Sequence, residues 1–184
     1  MEKLKKRSAA AAVAAAAIVL STLLGVRLSV GRETKKVERM FFTGVAVGTY
    51  IEPGIATHLQ VRDNASNGLV SMAGSREELT AASDSLRAAR RELADAQTIP
   101  QKAKANRNLE SAYRKFVSLV KTLRLDEREQ EMLEKYSSQM DNAQHKIDTS
   151  FYNIKVDELR EELSWFPFNF LSRLVFAPYP QYFE

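Results

Sequence analysis

Residues 79–96, LTAASDSLRAARRELADA, decide the fold because they carry the clearest hydrophobic period in this chain. Apolar side chains recur every three or four residues, at Leu79, Ala82, Leu86, Ala89, Leu93 and Ala96. That spacing places them on one face of an α-helix and leaves charged residues on the opposite face. The stretch therefore predicts an amphipathic helix that packs its apolar stripe against other helices.

The segments around this helix carry start signals. Ser75 with Glu78 has the capping-box spacing before it, and Thr98 with Gln101 repeats that spacing before the next helix. The apolar stripe of the next helix comprises Leu109, Ala112, Phe116, Leu119 and Leu123. These signals predict two consecutive helices, the second over residues 99–124.

A longer periodic segment predicts the last helix. Asp126 with Glu129 gives its start signal. Its apolar stripe comprises Leu133, Tyr136, Met140, Ala143, Ile147, Phe151, Ile154 and Leu163. Because the residue before a proline disfavours the helical conformation, Phe166-Pro167 should end the helix near residue 164. At 1.5 Å per residue, a helix over residues 127–164 would be about 57 Å long and would extend about 18 Å beyond its neighbour.

One more helix precedes residue 75 and completes a set of four. Pro53 suits a first helical turn, so this helix should begin near Glu52. Its apolar positions are Ile55, Leu59, Leu69, Met72 and Ala73. Short connections make consecutive helices antiparallel neighbours. We therefore expect an all-α fold: an antiparallel up-down four-helix bundle over residues 51–164, with a long C-terminal helix and an aromatic tail at 165–184.

An uncharged run of eighteen residues, 9–26, lies near the N-terminus. It is long enough to span a bilayer, and four Lys or Arg residues precede it. A cleaved signal peptide is the alternative, but Arg27 and Leu28 do not resemble a cleavage region. We expect residues 1–31 to form a basic N-terminus and transmembrane anchor, followed by a juxtamembrane stalk and loop at 32–50. The expected location is the cell membrane, single-pass, with the N-terminus inside and the bundle outside.

The charge distribution argues against a nucleic-acid partner. The net charge of +4 divides into +3 for residues 1–7, +3 for residues 27–39 and −2 for residues 40–184. Positive charge on both sides of an apolar run is typical of contact with lipid headgroups, whereas a nucleic-acid binder keeps it on the folded domain. The chain has no cysteine, which excludes disulfides and thiolate chemistry.

Aromatic side chains are concentrated at the C-terminal end. Eight of the sixteen aromatic residues lie within residues 165–184, Trp165, Phe166 and Phe183 among them. Tryptophan and tyrosine favour the membrane interface, so this tail could return to the bilayer surface. We expect instead that these rings cap the open end of the bundle or pack on the stalk at 33–44, because aromatic termini usually bury their area against their own fold.

Catalytic and metal-binding patterns are weak, so we expect no enzyme activity, no cofactor and no metal. His58 and His145 are the two histidines, and no Glu-x-x-His motif occurs. The carboxylates of residues 157–162 are typical of a solvated helix face. The basic residues of 87–107 are interleaved with acidic ones, which favours a mixed-charge face over a site for an acidic partner.

Two asparagines lie on or beside the stripe of the first bundle helix. Asn64 and Asn67 would be buried there and would need hydrogen-bond partners, which Tyr152 and Asn153 could supply. We expect a polar pair that sets the register of the helices. A small-ligand pocket between the helices is the alternative.

The chain resembles the LemA proteins, which are bacterial and carry a single N-terminal membrane anchor. The resemblance rests on Tyr152-Asn153, on Phe166-Pro167 followed by Asn169 and Leu171, on the terminus Tyr182-Phe183-Glu184, and on Arg62 followed by Leu69-Val70. Leu159-Arg160 stands where a second Tyr-Asn pair would be expected, as in a divergent branch. The resemblance implies a four-helix antiparallel fold and a membrane location. It implies no established biochemical activity.

Two classes of function remain open. The first is a membrane-tethered interaction or scaffold protein that docks another membrane or envelope protein. The second is a ligand-sensing bundle that binds a small molecule between its helices. Sensors of the second kind usually continue into a second transmembrane helix and a signalling domain, so the first class is favoured. Homo-oligomer formation is compatible with either class.

Overall fold

The computed structural model describes residues 2–74 and 76–184, with side chains described from residue 9 onward. Most of these residues are helical, which confirms the all-α class. The first element is helix α1, Glu2–Thr43. An apolar window of 18 residues in it has a mean hydropathy of 2.3, and none of that window is buried. Within the described residues, α1 is the one helix long and apolar enough to cross a membrane.

The predicted loop after α1 contains a β-hairpin that the sequence analysis does not predict. Phe41 is still helical, and the break begins after Thr43. Strand β1, Val45–Val47, pairs antiparallel with strand β2, Tyr50–Glu52. Gly48 has a φ of 61° in the two-residue turn between the strands, a conformation that glycine adopts readily.

The described chain forms two compact units. The larger unit comprises residues 39–153 and 181–184, and the smaller unit comprises residues up to 38 together with 154–180. The four segments at 1–31, 32–50, 51–164 and 165–184 are divided by composition and stay a prediction.

Helices of the larger unit follow the predicted order. They are α2, Ile55–Ala73; a 3₁₀ turn, Glu77–Leu79; α3, Thr80–Asp95; α4, Ile99–Val120; and α5, Glu127–Asp148. Helix α2 packs along α3 and α5, and α3 packs along α4. The stripe of residues 79–96 lies inside as predicted, with Leu79, Leu86, Ala89, Leu93 and Ala96 buried. The hydrophobic period thus identifies most of the inner-facing residues. It is wrong for Leu119, Phe151 and Ile154, which are exposed.

Capping boxes start α4 and α5 as the sequence predicts. The Thr98 hydroxyl accepts a hydrogen bond from the Gln101 backbone N–H at 3.3 Å, and the Gln101 side chain accepts from the Thr98 N–H at 3.0 Å. Asp126 and Glu129 make the same reciprocal pair at 2.7 and 2.9 Å. These bonds satisfy N–H groups that a helix start leaves without partners. The third predicted box depends on Ser75, which lies outside the described residues.

The start of α2 differs from the prediction because Gly54, and not Pro53, sets it. Gly54 is the N-cap residue and α2 begins at Ile55. A Cβ atom at Gly54 would lie 2.5 Å from the backbone carbonyl oxygen of Phe41. The backbone of α1 therefore approaches this position more closely than any side chain would allow, which requires glycine here.

The predicted long fourth helix is wrong. Helix α5 ends at Asp148, and a separate helix α6 follows at Tyr152–Ser164. The Thr149 hydroxyl donates to the carbonyl of His145 at 2.8 Å, and the Ser150 hydroxyl accepts from the N–H of Tyr152 at 3.3 Å. Such local bonds compete with helix continuation. Because α4 and α5 each have 22 residues, the expected overhang of α5 is absent from the described chain.

The smaller unit contains part of α1, most of α6, a short helix α7, Phe168–Leu174, and the segment up to Pro180. Helix α6 ends at Ser164, as Phe166-Pro167 predicts. Hydrogen bonds join the last segment to both longer helices. Thr34 of α1 donates to the carbonyl of Pro178 at 2.8 Å, and Arg160 of α6 donates to that of Pro180 at 2.8 Å.

Candidate functional site

Arg62 is the one charged side chain that α2 buries completely. Its Nη2 donates to a carboxylate oxygen of Glu110 on α4. Burial lowers the pKa of Arg62, and the neighbouring charge of Glu110 partly opposes that shift. Its Nε and Nη1 have no hydrogen-bond partner among the described residues. A buried guanidinium with one counter-charge ties α2 to α4 and has no free face on which to bind a ligand.

A second arginine links α2 to α3. Arg90 Nε donates to Asp63 Oδ1 at 2.9 Å, and Arg90 Nη1 donates to the Asn67 side-chain oxygen at 2.7 Å. A groove of about 340 Å³ opens beside this pair, and Arg87 and Arg91 also line it. Asp63 pairs with Arg90, and Asp84 pairs with Arg87 at 2.7 Å, so Arg91 supplies the remaining positive charge of this groove.

The predicted polar pair of α2 is wrong because both asparagines are exposed. The Asn64 side chain accepts from Gln60 of the same helix at 3.3 Å. Asn67 bonds to Arg90 and contacts neither Tyr152 nor Asn153 through any hydrogen bond described here. The four residues therefore form neither a buried register pair nor a ligand pocket. Polar side-chain bonds between these helices come instead from ion pairs such as Arg62 with Glu110, and from the amide pair of Asn106 with Gln144.

Tyr152 and Asn153 hold the C-terminus. The Tyr152 hydroxyl donates to the carbonyl of Gln181 at 2.7 Å. The Asn153 side chain donates to the carbonyl of Phe183 at 2.9 Å and accepts from the Phe183 N–H at 3.0 Å. The Phe183 ring lies 5.6 Å from that of Phe41, which is itself 5.6 Å from the Tyr152 ring. Phe183 thus packs on the 33–44 segment as predicted, while Tyr182 is half-buried beside it.

A polar groove separates α4 from α5. Its volume is about 750 Å³, and Tyr113, Lys121, Glu134 and Ser137 are among its lining residues. The Tyr113 hydroxyl donates to Asp141 at 3.1 Å, and burial raises the pKa of Tyr113 to about 12. The Ser137 hydroxyl is buried without a hydrogen-bond partner among the described residues. This groove offers a polar recess of ligand size between two helices of the larger unit.

Neither His58 nor His145 belongs to a metal-binding group of side chains among the described residues. Burial lowers the pKa of His58, with the charge of Glu52 opposing the shift and that of Lys146 adding to it. Among the described residues, no three His, Asp or Glu side chains lie close enough together to hold a metal ion.

The expectation that the tail aromatics cap the fold is wrong for most of them. We call Trp165, Phe166, Phe168, Phe170 and Phe176 the aromatic collar, and all five are exposed within the smaller unit. Pro167 is exposed as well, whereas Asn169 is half-buried. The collar residues lie in and around α7, a helix that the sequence analysis does not predict.

Several of the residues that organise these surfaces escaped the sequence analysis. Glu110, Asp63 and Arg90 looked like ordinary members of charged helix faces, because a lone sequence does not show which charges meet across helices. Ser172 had no distinct signal either, because Asn169 and Arg173 are polar neighbours in the same segment. Its hydroxyl lies 3.0 Å from that of Tyr179 and is fully buried.

Comparison with known proteins identifies no family. The chain matches no protein-family model, and no curated protein is detectably similar to it. The resemblance to the LemA proteins therefore rests on the residues quoted above.

Proposed function

We propose that this protein is a membrane-anchored helical-bundle interaction protein of the LemA type, which docks another membrane or envelope protein and catalyses no reaction. The observation that carries the proposal is that no residue in the apolar window of α1 is buried. Eighteen residues of helix are about 27 Å long, close to the thickness of a bilayer's hydrocarbon core. Such a surface is stable in lipid and unfavourable in water.

The arrangement proposed for the folded part is an antiparallel four-helix bundle of α2 to α5. Side-chain bonds between the helices support it. Asn106 of α4 donates to Gln144 of α5 at 3.1 Å, whereas Tyr113, further along α4, bonds to Asp141, which lies earlier on α5. This reversed order is that of antiparallel helices. Arg62 with Glu110 ties α2 to α4 across the same set.

The contacts of the residues on which the LemA resemblance rests indicate that these residues stabilise the fold. Tyr152 and Asn153 bind the residues next to the C-terminal Tyr-Phe-Glu, so two separate parts of the motif meet in the fold. Arg62 is buried in an ion pair. Residues that make such internal bonds stabilise the fold. In this proposal, partner binding therefore falls to the exposed surface.

The groove beside Arg90 is the protein-docking surface in this proposal. Arg87 and Arg91 line it, and Arg91 is exposed. A positive groove between two helices suits an acidic helical segment of a partner. A photo-crosslinking amino acid in place of Arg91, or in place of the neighbouring Ala88, should capture one partner. With the crosslinker at Ala88, the charge reversals Arg87→Glu and Arg91→Glu, made one at a time, should each abolish capture of that partner. A crosslinker at the exposed Glu131 of α5 is the matched control, and equal capture from both positions would contradict the proposal.

Topology is tested by cysteine labelling, which the cysteine-free chain makes direct. A Glu131→Cys variant should react with a membrane-impermeant maleimide in intact cells, because we propose that the bundle lies outside. A Ser21→Cys variant, in the apolar run, should stay unlabelled until detergent is added. Labelling of Glu131→Cys only after lysis would reverse the orientation. A shortened, soluble chain would identify residues 1–31 as a cleaved signal peptide and refute the anchor.

A second candidate function is binding of a small polar molecule in the groove between α4 and α5. The buried, unpartnered hydroxyl of Ser137 favours it, because such a group is stabilised by a ligand that bonds to it. A ligand that raises the melting temperature of the wild type should lose its effect in Ser137→Ala and Tyr113→Phe. An equal shift in the exposed-site variant Ser138→Ala and in Ser137→Ala would rule out this groove.

A further inference from the structure

The aromatic collar is unusual because so much large apolar surface faces outward. The exposed fractions are 68% for Trp165, 84% for Phe166, 62% for Phe170 and 85% for Phe176. Arg173 is the only charged residue between positions 165 and 180. Soluble proteins rarely expose so many large apolar side chains together, and a patch of this kind usually marks an interaction surface.

Helix α7 has its polar and apolar sides reversed relative to a helix that faces water. Ser172 is fully buried and its hydroxyl lies 3.0 Å from that of Tyr179. Asn169 is half-buried, whereas Phe168 and Phe170 are exposed. Polar side chains of a water-facing helix would lie outside and its rings inside. The reversal indicates an apolar environment around the outer face of α7.

The backbone at Phe176 ends helix α7. Phe176 has a φ of 49°, a left-handed conformation that is strained for a bulky residue. The following residue, Ala177, donates its N–H to the carbonyl of Ser172 at 2.9 Å and is buried. The Phe176 N–H likewise donates to the carbonyl of Arg173 at 3.2 Å, so the left-handed residue caps the end of α7 and leaves its own ring exposed.

The collar lies level with the end of the apolar run of α1. Arg27 is the first charged residue after that run, and its Nη1 donates to the carbonyl of Val175 at 2.9 Å. Phe168 shares a groove of about 410 Å³ with Gly25 and Val26 of α1. An arginine at the end of a membrane span places its guanidinium among the lipid headgroups. Val175 and the neighbouring collar residues therefore share that depth.

We propose that the aromatic collar inserts into the interface of the same bilayer that α1 spans, so that the chain contacts the membrane twice. This inference rests on the proposed anchor. Tryptophan and phenylalanine on one side of a short helix, with a single arginine beside them, are the composition of interfacial membrane segments. Continuity with the apolar surface of α1 favours lipid over a second protein as the occupant of this face.

Trp165 is the only tryptophan of the chain, so its fluorescence reports on the collar directly. The full chain is reconstituted into vesicles of phosphatidylcholine and phosphatidylglycerol. We expect Trp165 emission to be shifted to the blue. Lipids brominated near the glycerol end of their chains should quench this emission at least about twofold more than aqueous iodide does, as for a ring at the membrane interface. The quenching should be independent of the ratio of protein to lipid.

Variants separate this inference from the anchor. The triple variant Phe166→Ser, Phe170→Ser, Phe176→Ser should return Trp165 to a water-like emission while helicity by circular dichroism and resistance to alkaline extraction stay unchanged. The double variant Tyr50→Ser, Ile51→Ser removes exposed apolar side chains of the hairpin and should leave the Trp165 signal as in the wild type.

Each other outcome overturns the inference in an identifiable way. A chain that resists alkaline extraction but has a water-exposed Trp165 keeps its anchor and lacks the collar contact. Shielding of Trp165 only at high protein density would identify a second copy, or another protein, as the occupant. Release of the whole chain by alkali would refute the proposed anchor and, with it, this inference.

Discussion

Asn153 and Phe183 are joined by two hydrogen bonds that run in opposite directions. The Asn153 side chain donates to the Phe183 carbonyl at 2.9 Å and accepts from the Phe183 N–H at 3.0 Å. A side-chain amide thus pairs with a main-chain amide as a neighbouring strand would. Through this pair, the last residues of the chain become part of the larger unit, although α6 and α7 separate them from it in sequence.

The first prediction concerns this pair. Asn153→Ala removes both bonds and should lower the free energy of unfolding by about 1–3 kcal/mol, since each net hydrogen bond contributes about 0.5–1.5 kcal/mol. It should also speed removal of the last residues by carboxypeptidase, because the terminus is released. Asn142→Ala, on the exposed face of α5, is the control and should change neither quantity. Unchanged trimming in Asn153→Ala would show that the Phe183 ring and the bond of Tyr152 to Gln181 hold the terminus without Asn153.

The second prediction concerns the buried ion pair. Glu110→Leu leaves Arg62 charged and buried without its partner, and should cost about 3 kcal/mol, the lower end for such pairs because Glu110 is partly exposed. Adding Arg62→Met should recover part of that loss, because an apolar pair needs no desolvated charge. Chemical unfolding in detergent micelles, followed by circular dichroism, measures both.

Arg114 provides the matched control for the ion pair. It bonds to the other oxygen of Glu110 but is exposed, so Arg114→Met should have little effect. A double variant less stable than Glu110→Leu would contradict the idea that the uncompensated charge causes the loss.

Sequence alone predicts the inner helix faces and the caps because both depend on local spacing. Leu86 and Leu93 are buried where the three-four period places them, and Thr98 and Asp126 cap their helices. These features need no knowledge of which helix lies next to which. The exposed apolar surface of α1 follows equally from its composition.

The wrong predictions concern positions where local hydrogen bonds of short polar side chains, or packing partners from elsewhere in the chain, determine the structure. The period through Ile147 and Phe151 suggested one helix, but Thr149 and Ser150 bond locally and break it. Asn64 lies five residues from both Leu59 and Leu69, which at about 100° per residue turns it away from the stripe, so the helical period itself could have shown that it faces water. The hairpin had a signal, since Gly48 separates two short β-branched runs, and strand rules would have found it.

The third prediction concerns Gly68, where α2 meets α5. A Cβ atom there would lie 2.3 Å from the ring of Tyr136, so Gly68→Ala should displace that half-buried ring and cost about 1–3 kcal/mol. Alanine otherwise favours a helix over glycine by about 1 kcal/mol. In a Tyr136→Ala background the same substitution should therefore be neutral or stabilising. Additive losses across this double-mutant cycle would show that the two residues do not meet.

The last prediction concerns pH and His58. Burial lowers the pKa of His58 below its ordinary value of 6.5, with Glu52 opposing the shift and Lys146 adding to it. The folded chain therefore takes up a proton at this imidazole at a lower pH than the unfolded chain, which does so as the pH falls through about 6.5. The unfolded state binds more protons in that range, so the free energy of unfolding should fall as the pH falls from 7 to 5.

A His58→Gln variant isolates this effect because every other titrating group is shared with the wild type. Its free energy of unfolding should fall less between pH 7 and pH 5 than that of the wild type, so the stability difference between the two chains should depend on pH. The same difference at both pH values would mean that His58 is protonated equally in the folded and unfolded states. The surroundings of His58 would then be more hydrated than the structure indicates, because burial is the main cause of its lowered pKa.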